Sequence, residues 1–137
     1  MDFKSTQSIY RQIVNWVFEQ ILSGAWKPGE RAKSVRELAV AFEVNPNTVM
    51  RSYEYLQNQE IITNKRGIGF FINEDAADKI RALRKKEFLE EEVPEFLKNM
   101  RLLGITMEEI EAIGNRQQAT GNRQKAIGKR IIQVLHV

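Results

Sequence analysis

No cysteine occurs anywhere in the chain, which rules out a disulfide framework and any thiolate metal site. The one histidine, His136, stands next to the C-terminus, so no nucleophile–base pairing is visible. The acidic run Glu90-Glu91-Glu92 reads as a solvated helix face rather than a metal site. No enzyme activity, metal or cofactor is therefore expected. Long apolar runs are missing too. Nothing approaches the roughly 18 residues of a membrane span, and the opening MDFKSTQSIYRQ lacks the apolar stretch of a signal peptide. The expectation is a soluble, cytoplasmic chain with no membrane partner. Acidic residues are absent after Glu111, whereas Arg116, Arg123, Lys125, Lys129 and Arg130 lie beyond it. The net charge of +3 thus comes from the tail and says little about the rest of the chain.

What is present is enough for a core. Hydrophobic residues make up 42% of 137 positions, which fits one small domain with an appended oligomerisation segment. Helical spacing predicts a first helix over 8–23, from Ile9, Ile13, Val14, Trp16, Val17, Ile21 and Leu22, closed by Gly24. Trp26-Lys27-Pro28-Gly29 reads as a turn. Ser34-Val35-Arg36-Glu37 is a capping box that opens a short second helix with Val35, Leu38, Ala39 and Phe42 on its apolar stripe. Glu43-Val44 makes the turn to a third helix, with Asn45 as N-cap and Pro46 at the first helical position. Residues 61–64 and 69–72 read as strands of a hairpin around Lys65-Arg66-Gly67-Ile68-Gly69.

Beyond Asp75 the pattern is helical, divided near Pro94 and ended by Gly104, with a second capping box at Thr106–Glu109 starting a last short helix. Residues 112–130 hold a seven-residue near-repeat, AIGNRQQ, ATGNRQK, AIGKRII. A glycine in every repeat weakens a helix by about 1 kcal/mol each, so a flexible basic tail is expected rather than a coiled coil. The fold class that follows is mainly α with a small β-hairpin: a winged helix-turn-helix over 1–73, a helical dimerisation arm over 74–113 and a tail over 114–137.

The order of short helix, tight turn, polar-faced helix and basic hairpin points to duplex DNA. The major groove of B-DNA admits one α-helix, whose leading end must offer polar groups to base edges and phosphates. Asn45, Asn47, Thr48 and Arg51 occupy that end, and the helix N-terminus suits a phosphate through its backbone N–H groups and dipole. Arg36 opposes the dipole of the second helix, which makes sense if it faces an external phosphate; Lys33 is close by. Lys65 and Arg66 stand at the hairpin tip, and Gly67 permits close backbone approach in a minor groove. Each feature alone is an ordinary surface charge, helix start or turn. Their order and spacing carry the reading. The rival reading, a winged helix used for protein or RNA contacts, lacks the need for a polar recognition-helix start and a basic wing.

Residues 8–72 closely resemble the DNA-binding domain of the GntR family. The matching stretches include Ile9-Tyr10-Arg11-Gln12-Ile13, Lys27-Pro28-Gly29-Glu30-Arg31, Ser34-Val35-Arg36-Glu37-Leu38-Ala39, Val44-Asn45-Pro46-Asn47-Thr48-Val49 and Gly67-Ile68-Gly69-Phe70-Phe71. The resemblance implies a dimeric winged-helix repressor, with DNA contacts at Arg36, Asn45, Asn47, Thr48, Arg51, Arg66 and Gly67. The pair before the capping serine departs from the family's usual Leu-Pro: it is Ala32-Lys33 here, which is expected to loosen the entry to the second helix. The short segment 76–113 looks like the YtrA subfamily, which implies repression of ABC transporter operons. A homodimer on an inverted-repeat operator is expected, with Ile80, Leu83, Phe88, Phe96, Leu97 and Leu103 at its interface. The alternative is that these residues pack back on the chain's own first helix. The sequence shows no site for a small-molecule effector, though it leaves room for one between arm and winged helix.

Overall fold

The computed structural model describes residues 7–135, and it divides them into two compact units that meet in sequence at Glu87 and Phe88. The first six residues and His136-Val137, at the ends of the expected 1–73 and 114–137 segments, lie outside the described residues.

The first unit is a winged helix. Its helices are α1 (Ile9–Leu22), α2 (Val35–Phe42), α3 (Pro46–Asn58) and α4 (Ala76–Glu87), and its hairpin is β1 (Ile62–Lys65) with β2 (Gly69–Ile72). One apolar cluster joins them. Ile13, Val14, Val17 and Phe18 of α1 meet Leu38 and Ala39 of α2 and Val49, Tyr53 and Leu56 of α3, with Ile62 and Ile72 closing the floor. The helix spacing read from the sequence therefore marks the faces that are buried. β1 and β2 pair antiparallel, Ile62 with Ile72 through Lys65 with Gly69. A third extended segment adds to β2: Ala32 N donates to Phe70 O (2.8 Å), Ile72 N to Glu30 O (2.9 Å) and Gly29 N to Ile72 O (2.8 Å). The chain entering α2 is thus part of the sheet. The loosening expected from Ala32-Lys33 is not what the structure has: Ala32 is buried in the core, and the Lys33 carbonyl accepts a hydrogen bond from the Tyr53 hydroxyl.

α4 belongs to this unit, and here the structure corrects the sequence reading. Ile80 has no exposed surface and lies in the core cluster, and Leu83 packs against that cluster. Arg84 lies over the Phe18 ring at 5.4 Å, and Arg11 Nη2 reaches Glu87 Oε1 at 3.2 Å. Periodicity shows that a helix buries a face but not against what. Ile80 is wholly taken up by its own winged helix and has no surface to offer a second chain, and Leu83 packs at the edge of the same cluster. The compact unit accordingly extends to Glu87 rather than ending at residue 73.

The second unit begins with a π-helical turn (Phe88–Glu92), followed by α5 (Val93–Leu103) and α6 (Met107–Leu135). Pro94 explains the turn: it has no N–H to give and its ring crowds the carbonyl four residues back, so the wider turn precedes it. Gly104 caps α5 at φ 68°, and Thr106 Oγ1 accepts from Glu109 N at 3.2 Å to open α6. The short last helix and flexible tail expected from the glycine repeat are not found. α6 instead runs as one helix of 29 residues through the repeat.

Candidate nucleic-acid interface

Three parts of the first unit form the candidate interface: the start of α2, the leading half of α3 and the hairpin. Their spacing depends on Tyr53. Its ring is fully buried, meets Phe70 of β2 edge-on at 5.0 Å, and its hydroxyl donates to the Lys33 carbonyl ahead of α2. One α3 residue therefore fixes both the wing and the α2 entry. Burial, reinforced by the negative charge of Glu37, holds the Tyr53 phenol above its usual pKa, so it stays a donor. Ser52, also fully buried, donates to the Tyr10 carbonyl at 2.9 Å and ties α3 to α1.

The outer face of α3 presents Asn47, Met50, Arg51 and Glu54, all exposed, while Thr48 is half-buried. Asn45 has a definite second duty. Its Oδ1 accepts from Asn47 N at 2.8 Å, so only its amide NH2 is left to face outward. Arg51 is not a free arm either: its guanidinium stacks over the Tyr10 ring, 3.9 Å from the centroid. To contact DNA it works from that position or leaves it.

The expectation that the α3 N-terminus cradles a phosphate through backbone N–H groups does not survive. Pro46 has no N–H, Asn47 N is held by Asn45 Oδ1, and Thr48 and Val49 N both donate to Asn45 O. The start of α2 is different. Ser34 Oγ accepts from Glu37 N at 3.0 Å and Ser34 O from Leu38 N at 3.0 Å. Among the described residues, no acceptor stands against the N–H groups of Val35 and Arg36. These two donors stand near the exposed side chains of Arg36 and Lys33, a combination that could receive an anion.

At the hairpin, Ile68 N bonds Lys65 O at 2.9 Å, and Gly67 takes φ 79°, a conformation costly for residues with a Cβ. Arg66 and Gly67 are exposed at the tip. Lys65 folds its ammonium over the Phe71 ring at 4.3 Å, which positions the charge along the wing. Two further groups went unnoticed in the sequence. Arg31 lies across Gly69, where an added Cβ would come within 2.8 Å of its Nε, so its exposed guanidinium belongs to the wing surface. Met50 is 39% exposed on the outer face of α3. Nothing in their local spacing distinguishes either one. Tyr55 is half-buried, with the Arg11 guanidinium over its ring at 5.0 Å. Among the described residues, no group of acidic or histidine side chains could hold a metal, and no helix is long and apolar enough to cross a membrane.

The family model of the gntR family of bacterial regulatory proteins matches residues 9–72, the segment that carries all three parts. The chain is 37% identical over 110 residues to the HTH-type transcriptional regulator YhcF of Bacillus subtilis, covering 79% of this chain and 88% of that protein. It is 34% identical over 110 residues to the HTH-type transcriptional repressor YtrA of Bacillus subtilis, covering 80% and 84%. A solved GntR-family regulator from Bacteroides thetaiotaomicron superposes with a TM-score of 0.74 at 47% identity, covering 83% of this chain and 99% of that one.

Proposed function

The chain belongs to the GntR family of bacterial DNA-binding transcriptional regulators, and from that premise we propose that it is a repressor acting as a homodimer on an inverted-repeat operator. The DNA site we assign is Lys33 and Arg36 at the start of α2, Asn45, Asn47, Thr48 and Arg51 on α3, and Lys65, Arg66 and Gly67 at the wing. The observation that carries it is the division between two helix ends: α2 leaves backbone donors and cations facing outward, and α3 leaves side-chain amides. The first arrangement grips phosphate without regard to sequence, and the second reads base edges. In this reading α3 lies in the major groove while Arg66 and Gly67 approach the flanking backbone or minor groove.

The repressor role is supported by likeness to YtrA across most of that protein. An ABC transporter operon as the target follows from the subfamily resemblance. Dimerisation is assigned to the second unit, whose Phe88, Phe96, Leu97 and Leu103 are 52%, 47%, 38% and 73% exposed in the single chain. Apolar surface of that extent is costly on a soluble monomer and suits a symmetric contact. Two joined winged helices gain the second half-site at high effective concentration. We assign α4 to the winged helix rather than to the arm, on the support of Ala76 and Ile80 in its core cluster.

The test is selection of bound sites from random duplex DNA by the full chain. An enriched inverted repeat with half-sites about one helical turn apart is expected. Enrichment of a single half-site, or none, would end the dimeric-operator reading. Binding to RNA or single strands in preference to duplex would favour the rival use of the fold.

A further inference from the structure

Among the described residues, two arginines lie over tyrosine rings, and both pairs join α1 to α3. They are partnered differently. Arg11 of α1 lies over Tyr55 and also reaches Glu87 Oε1 at 3.2 Å, so its charge is taken up inside the unit. Arg51 of α3 lies over Tyr10 at 3.9 Å, and among the described residues no carboxylate stands within ion-pair distance of it and no oxygen accepts from it. The platform under Arg51 is fixed. The Tyr10 carbonyl accepts from the hydroxyl of Ser52, the residue after Arg51, at 2.9 Å. The Tyr10 ring is half-buried and packs against the core cluster. Main chain and ring of one α1 residue are thus both held at the same turn of α3. The donors of a guanidinium lie in its plane, so a ring against one face leaves them open.

We propose that Tyr10 is a positioning residue that sets base specificity: it holds Arg51 against its ring so that the in-plane donors of the guanidinium meet one guanine in each half-site. This rests on α3 lying in the major groove, as proposed above. Arg51 stands one helical turn after Asn47 on the same exposed face of α3. In that groove guanine offers O6 and N7 side by side, a pair of acceptors that matches two parallel N–H groups of a guanidinium. Phosphates recur at every nucleotide, so a swinging arginine grips them about as well as a held one. A base edge is met from one direction only, and there a held guanidinium gains. It has little rotamer freedom left to lose on binding, and it cannot turn aside to a phosphate when the guanine is replaced. Tyr10 acts through Arg51 and needs no contact of its own with a base.

The test measures affinities of the full-length chain for a duplex selected by the wild type and for its single-base variants. Arg51→Ala is expected to abolish a guanine preference at one position of each half-site. Tyr10→Leu, which keeps apolar bulk without a π face, is expected to weaken the preference at that same position by about threefold to tenfold. Tyr10→Met carries the same expectation, and Tyr10→Phe, which keeps the ring, should retain the preference. In the Arg51→Ala background Tyr10→Leu should change nothing further. The readout is a ratio between duplexes, so a smaller folded fraction does not move it. An unchanged preference in Tyr10→Leu, a loss spread evenly over all duplexes, a loss that persists without Arg51, or an equal loss in Tyr10→Phe overturns the proposal while leaving α3 in the groove. If Arg51→Ala itself leaves every base preference intact, the assignment of Arg51 to the DNA site fails, and the role of Tyr10 falls with it.

Discussion

Asn45 carries two duties that can be separated by substitution. Its Oδ1 caps α3 through Asn47 N at 2.8 Å, which leaves the NH2 of this exposed residue for the proposed groove. Replacing it with alanine removes both. Loss of an asparagine cap costs about 1 kcal/mol, roughly a fivefold change in the folding equilibrium. In a domain of this size that lowers the melting temperature by roughly 4–8 °C. Serine caps about as well as asparagine but has no amide. The Asn45→Asp replacement keeps a cap and adds a favourable charge–dipole term of about 0.3–1 kcal/mol, while setting a carboxylate against DNA phosphates. Thermal stability should therefore run aspartate at or above wild type, serine near it, alanine lowest. Operator affinity should run in another order: wild type highest, serine and alanine together below it by about 1–3 kcal/mol, aspartate lowest. Calorimetry or circular dichroism gives the first ranking and fluorescence anisotropy on one operator gives the second. If the serine variant binds DNA like wild type, Asn45 is a cap and nothing more, and it leaves the interface.

Three further outcomes test other parts of the argument. Arg36→Ala should weaken binding to all duplexes and reduce the slope of log affinity against log salt by about one unit; an unchanged slope removes Arg36 from the phosphate corner. Ile80→Ala should cost about 2–5 kcal/mol in denaturant unfolding, as expected for a residue with no exposed surface. Normal stability with a weakened dimer in sedimentation would return Ile80 to a subunit interface. Gly69→Ala must hold φ 138° with a Cβ 2.8 Å from Arg31 Nε, and strain of that backbone kind costs about 1–3 kcal/mol. Adding Arg31→Ala should recover the contact part but not the backbone part, so full recovery in urea unfolding would show that the backbone there is unstrained.

Much of the winged helix was legible because its signals are local. The apolar spacing of 8–23 marks α1, Ser34 and Asn45 mark the helix starts through their side-chain caps, and two glycines mark the wing. What escaped is non-local. Residues 30–32 join the sheet through backbone hydrogen bonds that leave no alternation of side chains to detect. Ile80 and Leu83 lie on α4, which packs on α1 at the far end of the unit's sequence. Arg51 carries the charge expected of it, yet Tyr10, on another helix, determines where that charge rests. The repeat in α6 misleads for the opposite reason. The cost of its glycines, taken alone, predicts a break, yet α6 runs through them as one helix.

The two helix ends of the interface also explain why proline is suited to position 46. A backbone N–H already bonded to a cap cannot bond a phosphate unless the cap lets go, so a well-capped helix is a poor anion anchor. α3 is closed in this way: proline contributes no donor, and Asn45 holds the next three. That closure leaves the leading turn of α3 rigid and without backbone demands, so its side chains can be placed against base edges with little ordering left to do on binding. α2 is capped one bond short, through Glu37 and Leu38 only, and its first two donors remain for an oxygen from outside. In the proposed reading, anchoring and reading fall to different helices, with Tyr53 tying the α2 entry and the wing to α3. On that reading, a change in the α3 side chains is expected to alter which sequence is bound while the proposed phosphate contact at Arg36 stays as it is.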